Sequence, residues 1–317
     1  MRVVPILFPS DLGRSDRGRY QEGGERGAPD VILDVLESEG VRMARPIAVP
    51  VAPPTTDDRE DAHLKFDAAL AGPVKALAEA VAAVNAAADF PLILGGDQSA
   101  LLGHVLGHSS RHAHGIGLAV LADAYADLAT PALPVYDDKE RLTRDPEVTK
   151  SGNVHRMVVA GALRMFPADT ELGRLMAGST VRAEQTSVAG VRTPAWAQIR
   201  QNEKKAGIEV WRMDRLEFDG EGAYRSVLSR HLAKGPIVLS IDVGGLDPDM
   251  MTAVRNPKPD GLDWTFLKRT LEQCLPHVDR LLGLDITELD PTRDDAHQGS
   301  LIRFAETLAP FLKRLQR

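Results

Sequence analysis

Two carboxylates, Asp123 and Asp127, close the unbroken apolar run Gly117-Leu118-Ala119-Val120-Leu121-Ala122. Two further acids end short β-rich runs: Asp97 after Pro91-Leu92-Ile93-Leu94-Gly95-Gly96, and Asp242 after Ile237-Val238-Leu239-Ser240-Ile241. Carboxylates brought together repel one another unless a cation or a proton compensates. The pattern therefore points to a metal or cation site among these strand-end acids. Each acid also has a plain structural use: Asp123 could cap a turn and Asp127 could open a helix.

These residues need strands that end at a common edge. An apolar run without alternation reads as a strand buried on both faces. In open α/β sheets, ligands gather beyond the carboxyl ends of such strands. Glycines at the turns let the backbone bend sharply and approach a ligand closely. Strand patterns begin at Arg2-Val3-Val4-Pro5-Ile6-Leu7-Phe8 and recur at Val188-Ala189-Gly190-Val191, Ile208-Glu209-Val210-Trp211 and residues 281–286. Helix patterns lie between them at 29–39, 58–88 (with a break expected near Gly72-Pro73), 99–107, 224–233, 263–274 and 294–315, the last with a break or kink expected at Pro310. Residues 9–28 and 130–150 read as loops. Alternating strands and helices without a linker predict one α/β domain over residues 1–317 on a mostly parallel sheet.

Composition narrows the class. The net charge is −7, with no basic stripe, which gives no support to nucleic-acid binding. The single cysteine, Cys274, excludes a disulfide framework, reads as a core filler, and fits a reducing, cytoplasmic compartment. No signal peptide or membrane span is visible, and no glycine-rich nucleotide motif is present. His104, His108, His112 and His114 cluster after the first acid motif. Two of them share a helical face, but no acid or cysteine stands beside them, so they read as surface residues.

The three acid-bearing stretches resemble the ureohydrolase family of arginase, agmatinase and formiminoglutamase. The family patterns are G-G-D-H-S, D-A-H-x-D and S-x-D-x-D-x-x-D-P. This chain reads Gly95-Gly96-Asp97-Gln98-Ser99, Asp123-Ala124-Tyr125-Ala126-Asp127 and Ser240-Ile241-Asp242-Val243-Gly244-Gly245-Leu246-Asp247-Pro248. Gly27-Ala28-Pro29, Ser151-Gly152-Asn153-Val154-His155 and Thr287-Glu288-Leu289-Asp290-Pro291 match further family elements in order. The resemblance implies a three-layer α/β/α fold, a homo-oligomer, and a small guanidino or amino-acid-like ligand. It also implies roles: Ser151 and Asn153 at the ligand's carboxylate, His155 as a proton shuttle, Glu288 at a guanidinium group.

The departures fall on the metal ligands. The family holds two manganese ions with two histidines and four aspartates. The histidine positions are Gln98 and Tyr125 here, and one aspartate position is Gly244. The first ion keeps Asp123, Asp127 and Asp242 and gains the amide oxygen of Gln98; the second keeps only shared ligands. An oxygen-only set suits one Mn²⁺, Mg²⁺ or Ca²⁺, and a two-manganese cluster is not expected. The reading is a family member without ordinary arginase or agmatinase activity. Alternatives are a one-metal hydrolase of guanidino or amidino C–N bonds, and an amino-acid-binding sensor or partner protein. Tyr125 is expected to point into the emptied second-metal space, with Arg255 and Arg156 as other candidate cations there.

Overall fold

The computed structural model describes residues 1–13, 24–53, 64–122, 124–129, 152–192, 197–295, 297 and 299–316, with the side chains of 197–199 left aside. Eight strands form one sheet: β1 (Val3–Phe8), β2 (Ile47–Ala48), β3 (Phe90–Gly95), β4 (Ile116–Leu121), β5 (Val181–Val191), β6 (Glu209–Arg212), β7 (Ile237–Asp242) and β8 (Leu281–Thr287). Their order is β2-β1-β3-β8-β7-β4-β5-β6 and every pairing is parallel, where a mostly parallel sheet was expected.

The side-chain period of two sorts each buried strand between two cores. Leu92, Leu94, Ala119, Leu121, Leu239 and Ile241 face one cluster, which is completed by α1 (Ala28–Ser38), α8 (Glu221–Lys234), α9 (Trp264–Cys274) and α10 (Gly299–Leu315). Ile93, Leu118, Val120 and Val238 face the other, with α2 (Asp67–Ala86), α3 (Ala100–Ser109), α4 (Val158–Ala162) and α5 (Glu171–Met176). Two helical layers thus enclose the sheet, the three-layer α/β/α arrangement that the motifs implied. Short helices α6 (Ala197–Ala206) and α7 (Met213–Asp219) flank β6. Cys274 is a core residue, and burial pushes its thiol up to about 12.

Three local expectations need correction. Helix α2 runs through Pro73 without a break, and α10 runs through Pro310. A proline removes one helical hydrogen bond, but tertiary packing of the apolar face carries most helical stability. In α2 that face is Leu70, Val74, Leu77, Val81 and Val84. The third concerns the histidines. His104 and His108 are fully buried rather than superficial, while His112 is half-buried and His114 exposed. His104 Nδ1 lies 2.6 Å from Asp285 Oδ2 on β8, and Ser240 on β7 donates to Asp285 Oδ1 at 2.5 Å. His108 Nδ1 lies 2.5 Å from the Asn85 side-chain amide on α2. The partners that make burial tolerable come from distant chain segments, so local sequence gave no sign of them.

Candidate functional site

Strands β3, β8, β7 and β4 are consecutive in the sheet, and each hands a site residue to the same carboxyl edge. Gln98 follows β3, Glu288 follows β8, Asp242 ends β7 and Asp127 follows β4. All four residues are buried. Asp123 and Ser151 lie outside the described residues.

The β3 turn is built by Asp97. Its Oδ2 accepts from Ser10 Oγ and from the Gly13 N–H at 2.8 Å each, and its Oδ1 accepts from the Ser99 N–H at 2.7 Å. Burial pushes the Asp97 carboxyl up, and these donors oppose the shift by stabilising the anion. Gly96 is required here, because a Cβ at that position would stand 2.0 Å from the Ser10 carbonyl oxygen. The first loop is therefore pinned under the site edge. His155 joins the same loop: its N–H donates to the Gly13 carbonyl at 3.1 Å, and Nδ1 lies 2.9 Å from that oxygen. A carbonyl can only accept, so Nδ1 carries the proton. Asn153 is buried just before the short 3-10 turn Val154–Arg156 that carries His155.

Glu288 is fixed from two directions. Its N–H donates to the Gly96 carbonyl at 2.7 Å, and its Oε1 accepts from the Gln98 N–H at 3.0 Å. The Gln98 side chain is buried with no partner for Nε2, a donor whose satisfaction would need a ligand or the flipped amide. Glu288 (φ 67) and Asp127 (φ 50) both occupy the left-handed backbone region. Non-glycine residues are rare there, and such strain concentrates at functional sites.

At β7, Asp242 Oδ1 accepts from the Gly244 N–H at 2.8 Å, capping the 3-10 turn Val243–Gly245. Arg192, just beyond β5, was not singled out from the sequence as a site residue. Its Nη2 donates to the Gly244 carbonyl and its Nη1 to the Gly245 carbonyl, both at 2.8 Å. Its own N–H donates to the Ala124 carbonyl at 3.1 Å. One residue thereby ties the ends of β5, β4 and β7. The signal for it was its place directly after a strand that ends at the site edge.

The other expected cations are placed as follows. Arg255 lies with its guanidinium 3.6 Å from the buried Glu25 carboxylate. Arg156 stacks 4.5 Å over the Tyr125 ring, and Tyr125 is half-buried.

The positions that the family resemblance assigns to the second manganese ion's own ligands carry other groups here. Tyr125 offers a phenol where the family has an imidazole. Gly244 offers no side chain, its N–H is held by Asp242, and its carbonyl accepts from Arg192. Among the described residues no group of three or more histidine, cysteine, aspartate or glutamate side chains could hold a metal.

With fold and edge defined, comparison with known proteins is direct. The arginase family model matches residues 3–309, and the chain belongs to the arginase family. Arginase from Brevibacillus brevis is 28% identical over 299 residues, covering 93% of this chain and 91% of its own. The crystal structure of arginase from Bacillus cereus superposes with a TM-score of 0.80 at 21% identity, covering 98% of both chains. Entamoeba histolytica arginase, solved in complex with L-ornithine, gives 0.76 at 18% identity, covering 97% of this chain and 98% of its own.

Proposed function

We propose that this arginase-family chain is a single ureohydrolase-like domain over residues 1–317 that does not perform ordinary two-manganese hydrolysis of arginine or agmatine. The observation that carries this reading is the turn after β7. Gly244 stands at a family ligand position without a side chain, with its backbone committed to Asp242 and Arg192. Gln98 and Tyr125 at the two histidine positions support it from the sequence side. Metals generate the attacking nucleophile in this class by lowering the pKa of bound water, so loss of one ion's ligands removes that chemistry.

What remains is an oxygen-only set, Asp123, Asp127, Asp242 and Gln98, suited to at most one Mn²⁺, Mg²⁺ or Ca²⁺. Beside it stand Glu288, Asn153, Ser151 and His155, which suit a small amino-acid-like or guanidino ligand. The ornithine complex of the Entamoeba histolytica relative supports that ligand class. Among the described residues no helix is long and apolar enough to cross a membrane; the single cysteine fits a cytoplasmic setting, and the relatives' class favours a homo-oligomer. A second reading, hydrolysis of guanidino or amidino C–N bonds around one ion, rests on the retained carboxylates.

Metal content and urea release from purified protein supplied with Mn²⁺ test the proposal. The expected result is no more than one ion per chain, no urea from arginine or agmatine, and a melting shift with L-ornithine. Urea release abolished by Asp242→Ala, at one ion per chain, would establish the second reading. Two ions per chain with turnover would refute the proposal.

A further inference from the structure

Beyond β8 the chain meets the segment that carries Arg255. Val254 bridges Leu289 in an antiparallel contact, and the Asp290 N–H donates to the Ala253 carbonyl at 2.8 Å. Antiparallel partners run in opposite directions, so the same register sets Arg255 across from Glu288. A second acid reaches the arginine from the other end of the chain. The Arg255 guanidinium lies 3.6 Å from Glu25 Oε2, with the Arg255 side chain 12% exposed and that of Glu25 fully buried.

Glu25 and Glu288 are brought to one place by Gly96. Glu25 belongs to the short 3-10 turn Gly24–Gly27, and a Cβ at Gly96 would stand 2.8 Å from its carbonyl oxygen. The Gly96 carbonyl in turn accepts from the Glu288 N–H at 2.7 Å. Glu25 and Glu288 carry two negative charges and Arg255 one positive charge, so the three groups are one charge short of neutrality. A ligand ending in an ammonium or guanidinium group completes that balance. It must share the carboxylate, because a carboxylate has few acceptor sites and Glu288 Oε1 already accepts from the Gln98 N–H.

We infer that Arg255 is a specificity-determining residue of this edge: its guanidinium competes with the cationic end of a bound amino acid for Glu288, and so weakens the preference for basic over neutral amino acids. The inference rests on the reading of Glu288 as a ligand-facing acid given above.

Calorimetric titration of the full chain with L-ornithine, and with L-2-aminopentanoate, the same molecule without its side-chain amine, tests it. Arg255→Gln leaves the two acids without their cation, so ornithine is expected to bind at least about tenfold tighter. Glu25→Gln makes the group neutral before any ligand arrives, so ornithine is expected to bind at least about tenfold weaker. Aminopentanoate, with no charge at that end, should be unchanged in both variants. A purely structural role for these residues would instead weaken both ligands together. Should Arg255→Gln not fold, the Glu25→Gln titration decides in its place. Ornithine affinity that stays the same or falls in Arg255→Gln, or stays the same in Glu25→Gln, would overturn the inference and leave the ligand site standing. Failure of the wild type and both variants to bind either compound would overturn it together with the reading of Glu288.

Discussion

The Gln98 N–H donates to Glu288 Oε1 at 3.0 Å, joining residues 190 positions apart in the chain. The contact holds the carboxylate against the β3 turn, from a backbone already in the left-handed region. It gives Glu288 a role within the fold, as acceptor, beside the ligand-facing charge proposed above.

Substitution at Glu288 should divide those roles. Glu288→Gln keeps an acceptor for the Gln98 N–H and removes the charge. It is expected to retain stability while losing the melting shift given by L-ornithine. Glu288→Ala leaves a buried N–H without its acceptor and is expected to cost about 1–3 kcal/mol in urea unfolding. Equal loss of stability in both variants would show that the charge, not the hydrogen bond, matters to the fold.

Arg192 serves two carbonyls with one planar fork. Arg192→Lys can reach one of them with a point charge and is expected to recover only part of the stability lost in Arg192→Met. The Met variant should lose about 1–3 kcal/mol, read by chemical denaturation. A lysine variant equal to wild type would show that the fork geometry is dispensable.

The buried His104–Asp285–Ser240 cluster should behave as one unit. His104→Leu leaves Asp285 with Ser240 alone and is expected to destabilise by about 3–5 kcal/mol, the usual cost of stranding one partner of a buried pair. His104→Leu with Asp285→Leu should cost much less than the two single changes added together. A double-mutant cycle on unfolding free energies measures that coupling; strict additivity would refute it.

His108 sets a pH dependence. Burial, with the neighbouring His104 and His112, holds its imidazole well below the usual range. The native state therefore binds no proton there, whereas an unfolded histidine titrates near about 6.5. Between those values the unfolded state binds more protons, so stability is present above about pH 6.5 and is lost as pH falls. The loss attributable to this group approaches about 1.4 kcal/mol per pH unit. Unfolding free energies at pH 7.5 and 5.5 should differ less in His108→Asn than in wild type.

Much of this was legible in the primary structure. Apolar runs ending in glycine and aspartate marked β3, β4 and β7, because a parallel strand buried on both faces tolerates few polar residues. Those motifs also gave the sheet edge where Gln98, Asp127, Asp242 and Glu288 meet. The two-residue strand β2 escaped notice because Ile47-Ala48 is too short to show a period, and α7 because its single buried residue, Leu216, gives no amphipathic stripe. The contacts of Arg192 and His104 were hidden for a different reason. Hydrogen bonds between segments 45 to 181 residues apart leave no local trace.

The strand order carries a consequence for how the chain is made. Strands β3 and β7 are joined only through β8, the last strand in sequence. Until residues 281–287 leave the ribosome, the growing chain holds two incomplete ribbons, β2-β1-β3 and β7-β4-β5-β6, each with an unpaired edge. Closure is then a late insertion between two waiting edges, a long-range step of the kind that folds slowly and exposes strands to wrong partners. The same strand leads into Glu288, so a nascent chain places this buried acid at the sheet edge at the moment its sheet becomes continuous. Chains truncated before Leu281 are expected to be prone to aggregate, not merely inactive.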